Sequence, residues 1–241
     1  MYIYTVSFVY TECKNCSIEE GLSTLAVLAD FGTSWTKILD TESGERRIEK
    51  TKDLAPFKAD LATGHNTNNR TRRTVNELIA LGNGSMQLVD DKEYTVLDVG
   101  SRDVKYVKFV GGKVAEMNWS AKCGALTGFT LELILNYFSV DLAGIKPGKS
   151  TMNVTCGVLG MEQLFEAIAS GHSIEAALAD FTRGLATNAY QFIGRPARFY
   201  LSGGMCENQL FLKSFPRGVE VLPLGRFVLV EGLRSEYELE R

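Results

Sequence analysis

Three short stretches of the chain carry residue types suited to holding an anion. The first is Asp30-Phe31-Gly32-Thr33-Ser34, followed by Lys37. Glycine at position 32 lets the backbone turn tightly and bring N–H groups against a negative charge. The hydroxyls of Thr33 and Ser34 add donors, Lys37 adds positive charge, and Asp30 can hold a hydrated divalent cation. The second stretch is Asp98-Val99-Gly100-Ser101 and the third is Ser202-Gly203-Gly204-Met205. Taken alone, D-x-G-T-S is also an ordinary hairpin turn. Three such stretches, spaced along one chain, together have the order and chemistry that a clamped polyphosphate needs.

The elements that must position these turns repeat. Leu25 to Leu39 reads as an apolar run, the first aspartate turn and a second alternating run. Tyr94 to Phe109 does the same, with Val104, Tyr106 and Lys108 alternating after the second turn. Each is a β-hairpin pattern, and a duplicated hairpin implies a duplicated domain. Lys58 to Thr63 reads as a short strand, and the spacing of Val75, Leu78, Ile79 and Leu81 predicts a helix over 71–81. Further helices are predicted over Thr127 to Phe138, Met161 to Ser170 and Ile174 to Ile193. A strand is expected at Arg198 to Leu201, another at Val219 to Leu222, and a closing helix at Phe227 to Glu240. Strands alternate with helices, so the class is α/β. The expected organisation is an N-terminal extension over 1–28, a first subdomain over 29–90 and a second over 91–241, with the closing helix returning to the first.

Composition narrows the function. With 45% hydrophobic and 23% charged residues, the 241-residue chain has the make-up of an ordinary globular protein with a sizeable core. A formal charge of −3 gives no broad electropositive field, so neither nucleic acid nor an anionic membrane is an expected partner. No apolar run reaches the roughly 18 to 20 residues that cross a bilayer, and Met1 to Tyr10 lacks a basic leader, so a cytoplasmic location is expected. Five cysteines is an odd number, which suits free thiols or a metal site better than a disulfide framework. Cys13 and Cys16 form a C-x-x-C pair that reads equally as a redox pair, half a metal site or a surface turn. Cys206 reads as structural.

The three turns resemble the two phosphate motifs and the adenosine motif of the actin, sugar kinase and chaperone superfamily. That resemblance implies an α/β, actin-like ATPase fold, with two ribonuclease-H-like domains clamping ATP or ADP and Mg²⁺ between two hairpins. By position, Gly32, Thr33, Ser34 and Lys37 would face the phosphates, with Gly100 and Ser101 supplying the second turn. Asp30 and Asp98 would hold the metal through water, and Gly203, Gly204 and Met205 would lie along the adenosine.

Two cysteines point to a subfamily. Asn118 to Gly128 (NWSAKCGALTG) resembles the segment N-D-K-C-A-A-G-T-G of the iron-sulfur activators of 2-hydroxyacyl-CoA dehydratases and benzoyl-CoA reductases, the BadF/BadG/BcrA/BcrD-type ATPases, with two residues added. Thr155-Cys156-Gly157-Val158-Leu159 resembles their T-C-T-V-F, Asp98 to Lys105 their D-I-G-G-Q-D-x-K, and Ala62-Thr63-Gly64-His65 their A-T-G-Y. This resemblance runs in order from about Ala29 to Leu233. It implies a homodimer in which Cys123 and Cys156 of both subunits hold one shared [4Fe-4S] cluster. It also implies an electron donor such as ferredoxin or flavodoxin, and a dehydratase or reductase as acceptor. The chain departs from the pattern at Ser101, Arg102, Leu126 and Met161, and Arg102 could contact nucleotide or be a solvated charge. Two other functions stay open: a small-molecule (sugar) kinase of the same superfamily, with Asp98 or Asp103 as base, and a nucleotide-dependent switch or assembly factor.

Overall fold

The computed structural model describes residues 26–54, 56–120, 128–142, 144–154 and 157–239. Two five-stranded sheets of matching design form its frame. In the first, β1 (Val27–Phe31), β2 (Trp35–Asp40) and β3 (Arg46–Lys50) form an antiparallel meander. On the other side of β1, β4 (Leu61–Thr63) and the two-residue β5 (Arg73–Thr74) run parallel to it. After helix α1 (Glu77–Leu88), the pattern repeats with β6 (Tyr94–Val99), β7 (Val104–Val110) and β8 (Lys113–Ser120) as the meander. Helices α2 (Gly128–Phe138), α3 (Gly157–Ala169) and α4 (Ile174–Phe192) follow. Next come β9 (Arg198–Ser202), the short α5 (Gln209–Leu212), β10 (Glu220–Gly225) and the closing helix α6 (Val228–Leu239). Strands β9 and β10 run parallel to β6, as β4 and β5 do to β1, so the two sheet orders correspond strand for strand.

Alternation along the strands distributes three cores. On β1, Leu28 faces a core shared by both sheets, whereas Ala29 and Phe31 face a small core with Ile38 and Ala62. On β6, Val96 joins the shared core and Leu97 and Val99 join a larger one beneath α2, α3 and α4. A period of two then sends Asp30, two after Leu28, and Asp98, two after Val96, toward the side where the sheets meet. Both sit at the C-terminal ends of their strands, where the apolar rows stop.

Two helices cross over between the sheets. Helix α1 follows the first sheet but packs on β6, β7 and β8, whereas α6 follows the second sheet and packs on β1, β2 and β4. They meet at small residues: a Cβ added at Gly84 would lie 1.8 Å from the carbonyl oxygen of Val228, and one at Gly232 would lie 1.9 Å from that of Ala80. Only glycine permits so close a backbone approach. The helix predicted over 71–81 is therefore displaced. Arg73 and Thr74 complete the sheet, the Asn76 side chain caps the helix by accepting from the Leu78 N–H at 2.8 Å, and the helix continues through the glycines to Leu88. Helix α3 starts at Gly157, four residues before the expected Met161, and strands β3 and β8 extend hairpins that were expected to have two strands.

Candidate functional site

The cleft between the sheets is built from two copies of one arrangement. In β1 and β2, Asp30 lies directly opposite Lys37, and in β6 and β7 Asp98 lies directly opposite Lys105. The parallel neighbours correspond as well, Thr63 beside Asp30 and Ser202 beside Asp98. A left-handed glycine follows each, Gly64 at φ 100° and Gly203 at φ 86°. A Cβ at Gly64 would come within 2.5 Å of the Phe31 carbonyl oxygen, and one at Gly203 within 2.5 Å of the Val99 carbonyl oxygen. Each sheet thus presents a buried carboxylate, an opposed ammonium group and a turn that only glycine can make.

Together these elements line a cavity of about 330 Å³. Asp30, Gly32, Thr33 and Lys37 form one wall, and Asp98, Gly100 and Ser101 the opposite one. Gly203, Gly204 and Met205 close one end, where the chain makes a 3-10 turn over Gly204–Glu207. Ser34 is not among the lining residues; its carbonyl accepts from the Thr51 N–H at 3.0 Å. Arg102 is exposed but lines the cavity. Cys13, Cys16, Cys123 and Cys156 lie outside the described residues. Cys206 is buried, and burial pushes its thiol up to about 11.

Charge on the cavity floor is unbalanced. Lys37 pairs with Asp30 at 2.8 Å. Lys105, only 4% exposed along its side chain, reaches Glu77 at 2.6 Å, Asp103 at 3.2 Å and Asp98 at 3.5 Å. Ser202 donates to the second oxygen of Asp98 at 2.9 Å, and the Trp119 indole donates to Asp103 at 2.5 Å. His65 Nδ1 lies 2.9 Å from Glu77, and its Nε2 lies 3.8 Å from Asp103. Burial raises the pKa of Glu77, an effect that Lys105 partly offsets. Burial alone would lower that of Lys105, but Asp98, Glu77 and Asp103 together raise it. Four carboxylates thus face two ammonium groups, and the net negative charge favours a further cation at this floor. Ligand atoms of His65, Glu77 and Asp103 lie within 4.8 Å of one another, but the Lys105 ammonium already bridges two of these groups.

Several of these residues were not legible as site residues. Glu77 is the first residue of α1 and lay inside a helix predicted from its apolar neighbours, and His65 was the last residue of the Ala62-Thr63-Gly64-His65 motif but had no assigned role. Lys105 closed the Asp98 to Lys105 motif but had no assigned role. The missed signal was the seven-residue interval, since Asp30–Lys37 and Asp98–Lys105 are the same cross-strand pair.

No family model matches the sequence. The chain is 25% identical over 225 residues to the (R)-2-hydroxyglutaryl-CoA dehydratase activating ATPase of Acidaminococcus fermentans, covering 86% of this chain and 85% of that protein. Its fold matches component A of the same organism's dehydratase with a TM-score of 0.74 at 19% identity, over 91% of this chain and 100% of that one. It also matches the activator of 2-hydroxyisocaproyl-CoA dehydratase from Clostridium difficile, solved with ADPNP, with a TM-score of 0.73 at 17% identity, over 90% and 97%. The fold is the actin-like ATPase fold. No helix among the described residues is long and apolar enough to cross a membrane.

Proposed function

We propose that this chain, which resembles the dehydratase activators in sequence and in fold, is an ATP-dependent reductive activator that passes a low-potential electron to a 2-hydroxyacyl-CoA dehydratase or benzoyl-CoA reductase type partner. In this reading residues 29–90 and 91–241 are the halves of a clamp on ATP or ADP. Backbone N–H groups around Gly32, Gly100 and Gly203 meet the nucleotide, and Asp30 and Asp98 hold Mg²⁺ through water. The surplus negative charge at the floor suits that ion, and the glycine turns leave room for backbone to approach phosphate.

One observation carries the activator reading beyond simple nucleotide binding. The second phosphate turn is hydrogen-bonded to the start of α2: the Gly128 N–H donates to the Gly100 carbonyl at 3.1 Å, and the Phe129 N–H donates to that of Ser101 at 3.1 Å. A displacement of the turn by nucleotide is therefore passed to α2, the helix that follows Cys123 in sequence. Phe129, Leu133 and Tyr137 form an exposed apolar row along α2, and Leu159 and Phe165 are exposed on α3, which follows Cys156. Tyr137 and Phe165 are in ring contact at 5.9 Å. Contiguous apolar exposure of this kind suits a subunit interface.

Two thiols per chain make four in a twofold dimer, the number a [4Fe-4S] cluster takes. Cys123 and Cys156 would hold it; when bound, the cluster supplies one-electron chemistry. The chain's own part is to bias two conformations by nucleotide, which requires that ATP and ADP bind them unequally. Ferredoxin or flavodoxin would be the donor, and the compartment cytoplasmic. Nucleotide affinity and ATP turnover of Asp30→Ala and Gly203→Val test the cleft assignment. Both variants should lose at least about tenfold in affinity, one lost charge-assisted contact or one strained turn each being of that size. Unchanged affinity in folded variants would contradict it, and turnover stimulated by a sugar would favour the kinase reading.

A further inference from the structure

Arg226 stands in the cleft with a donor that no described residue satisfies. Its Nε is buried and, among the described residues, has no hydrogen-bond partner. The guanidinium's charge partner is Glu207, at 3.8 Å, and that carboxylate is 63% exposed. A buried donor left unpaired costs free energy that folding alone does not return, so such a group calls for an acceptor.

The local fold is arranged to aim this side chain. Pairing between β10 and β9 shifts register between Pro223 and Gly225, and Gly225 adopts φ 92°. A bulge ending in a left-handed glycine turns the strand and redirects the residue after it. Arg226 consequently leaves the second sheet and lines the cavity, its guanidinium carbon 5.7 Å from the ring centre of Trp35. Trp35 opens β2 directly after the Gly32-Thr33-Ser34 turn, so Arg226 spans from one half of the cleft to the phosphate turn of the other. Lys50 lies 5.7 Å from the same ring, which concentrates positive charge beside that turn.

We propose that Arg226 is a phosphate-reading residue of the cleft, its guanidinium donating to a phosphate oxygen of a bound nucleoside di- or triphosphate and so tying the two sheets together across the ligand. This rests on the nucleotide reading above and deepens it. A phosphate oxygen fits better than a sugar hydroxyl because the unpaired donor belongs to a full cation beside a phosphate turn, and a guanidinium offers planar paired donors to such an acceptor.

The test is calorimetric titration of ADP with Mg²⁺, and of adenosine, into the wild-type protein and into Arg226→Gln and Arg226→Lys, with thermal denaturation of each nucleotide-free protein. ADP affinity should fall about tenfold or more in Arg226→Gln and less in Arg226→Lys, while adenosine affinity changes by less than about twofold. The nucleotide-free variants should melt no lower than wild type, because the unsatisfied donor has been removed. Equal losses for ADP and adenosine, or unchanged ADP affinity, would overturn the proposal. So would a lowered melting temperature with ADP affinity intact, which would make Arg226 structural. Wild-type protein that binds no ADP would instead overturn the nucleotide reading itself.

Discussion

Asp30–Lys37 and Asp98–Lys105 are the same cross-strand pair built twice, yet their surroundings set them different tasks. Lys37 has one carboxylate to neutralise, whereas Lys105 holds three. Replacing Lys105 by methionine would strand Asp98, Asp103 and Glu77 together and should destabilise the fold by about 3–5 kcal/mol near neutral pH. Because the folded pKa of Lys105 is raised, its contribution is intact below the ordinary lysine value of 10.5 and is lost only as pH rises through the higher folded value. Urea denaturation should therefore show a large gap between wild type and Lys105→Met at pH 7 that narrows in acid, where the carboxylates protonate; a gap below about 1 kcal/mol would contradict the cluster's role. Glu77 acts in the opposite sense. Its folded pKa lies above the ordinary 4.5, so from that pH upward the folded state keeps a proton the unfolded state has lost, and stability falls as pH rises. Glu77→Gln should remove that part of the slope, and an unaltered pH profile would show that the burial effect is absent. The aspartates and glycines of the turns were legible because each motif is local. Lys105 and His65 stood in such motifs without a role, and Glu77 and Arg226 stood in none, since the contacts of all four come from strand register, a helix start and a bulge that bring distant residues together.

At the scale of elements, the crossing of α1 and α6 is where local pattern and packing disagree most. Leu81-Gly82-Asn83-Gly84 looks like the end of a helix, because glycine weakens helix interiors by about 1 kcal/mol each. Packing reverses that preference: Gly84 admits the backbone of α6, and the helix runs on to Leu88. The two glycines should therefore respond oppositely to alanine. Gly82→Ala meets nothing nearer than 3.9 Å and should leave stability unchanged or raise it by up to about 1 kcal/mol. Gly84→Ala would place a methyl 1.8 Å from the Val228 carbonyl oxygen and should cost several times more, or prevent folding. Thermal melts of the pair decide this; equal effects would mean that the helices can separate freely. The hairpins and the long α4 were legible by periodicity, and α4 additionally begins at a Ser173 cap that accepts from the Ala176 N–H. Strands β3 and β8 escaped notice for different reasons: β3 is an exposed edge of mostly charged residues, and β8 is an exposed edge whose alternating Met117 and Trp119 are half exposed and join no core.

For the whole molecule, the proposed function has nucleotide set the angle between the two sheets across a charged cleft, and the hydrogen bonds from the Gly100-Ser101 turn to α2 are where that motion would be passed on. If the apolar row on α2 is a subunit interface, Leu133→Glu and Tyr137→Glu should lower the mass in solution from dimer to monomer without lowering ADP affinity. Retention of a dimer by both would move the interface elsewhere. The proposal as a whole stands on an iron-sulfur centre shared by two chains through Cys123 and Cys156. Iron and acid-labile sulfide should therefore be measured on protein purified without oxygen, beside Cys123→Ser and Cys156→Ser prepared the same way. A shared centre predicts about four iron and four sulfide per two wild-type chains, and loss of both from either variant. Wild-type protein that binds nucleotide yet carries no iron, or variants that keep the full complement, would contradict it.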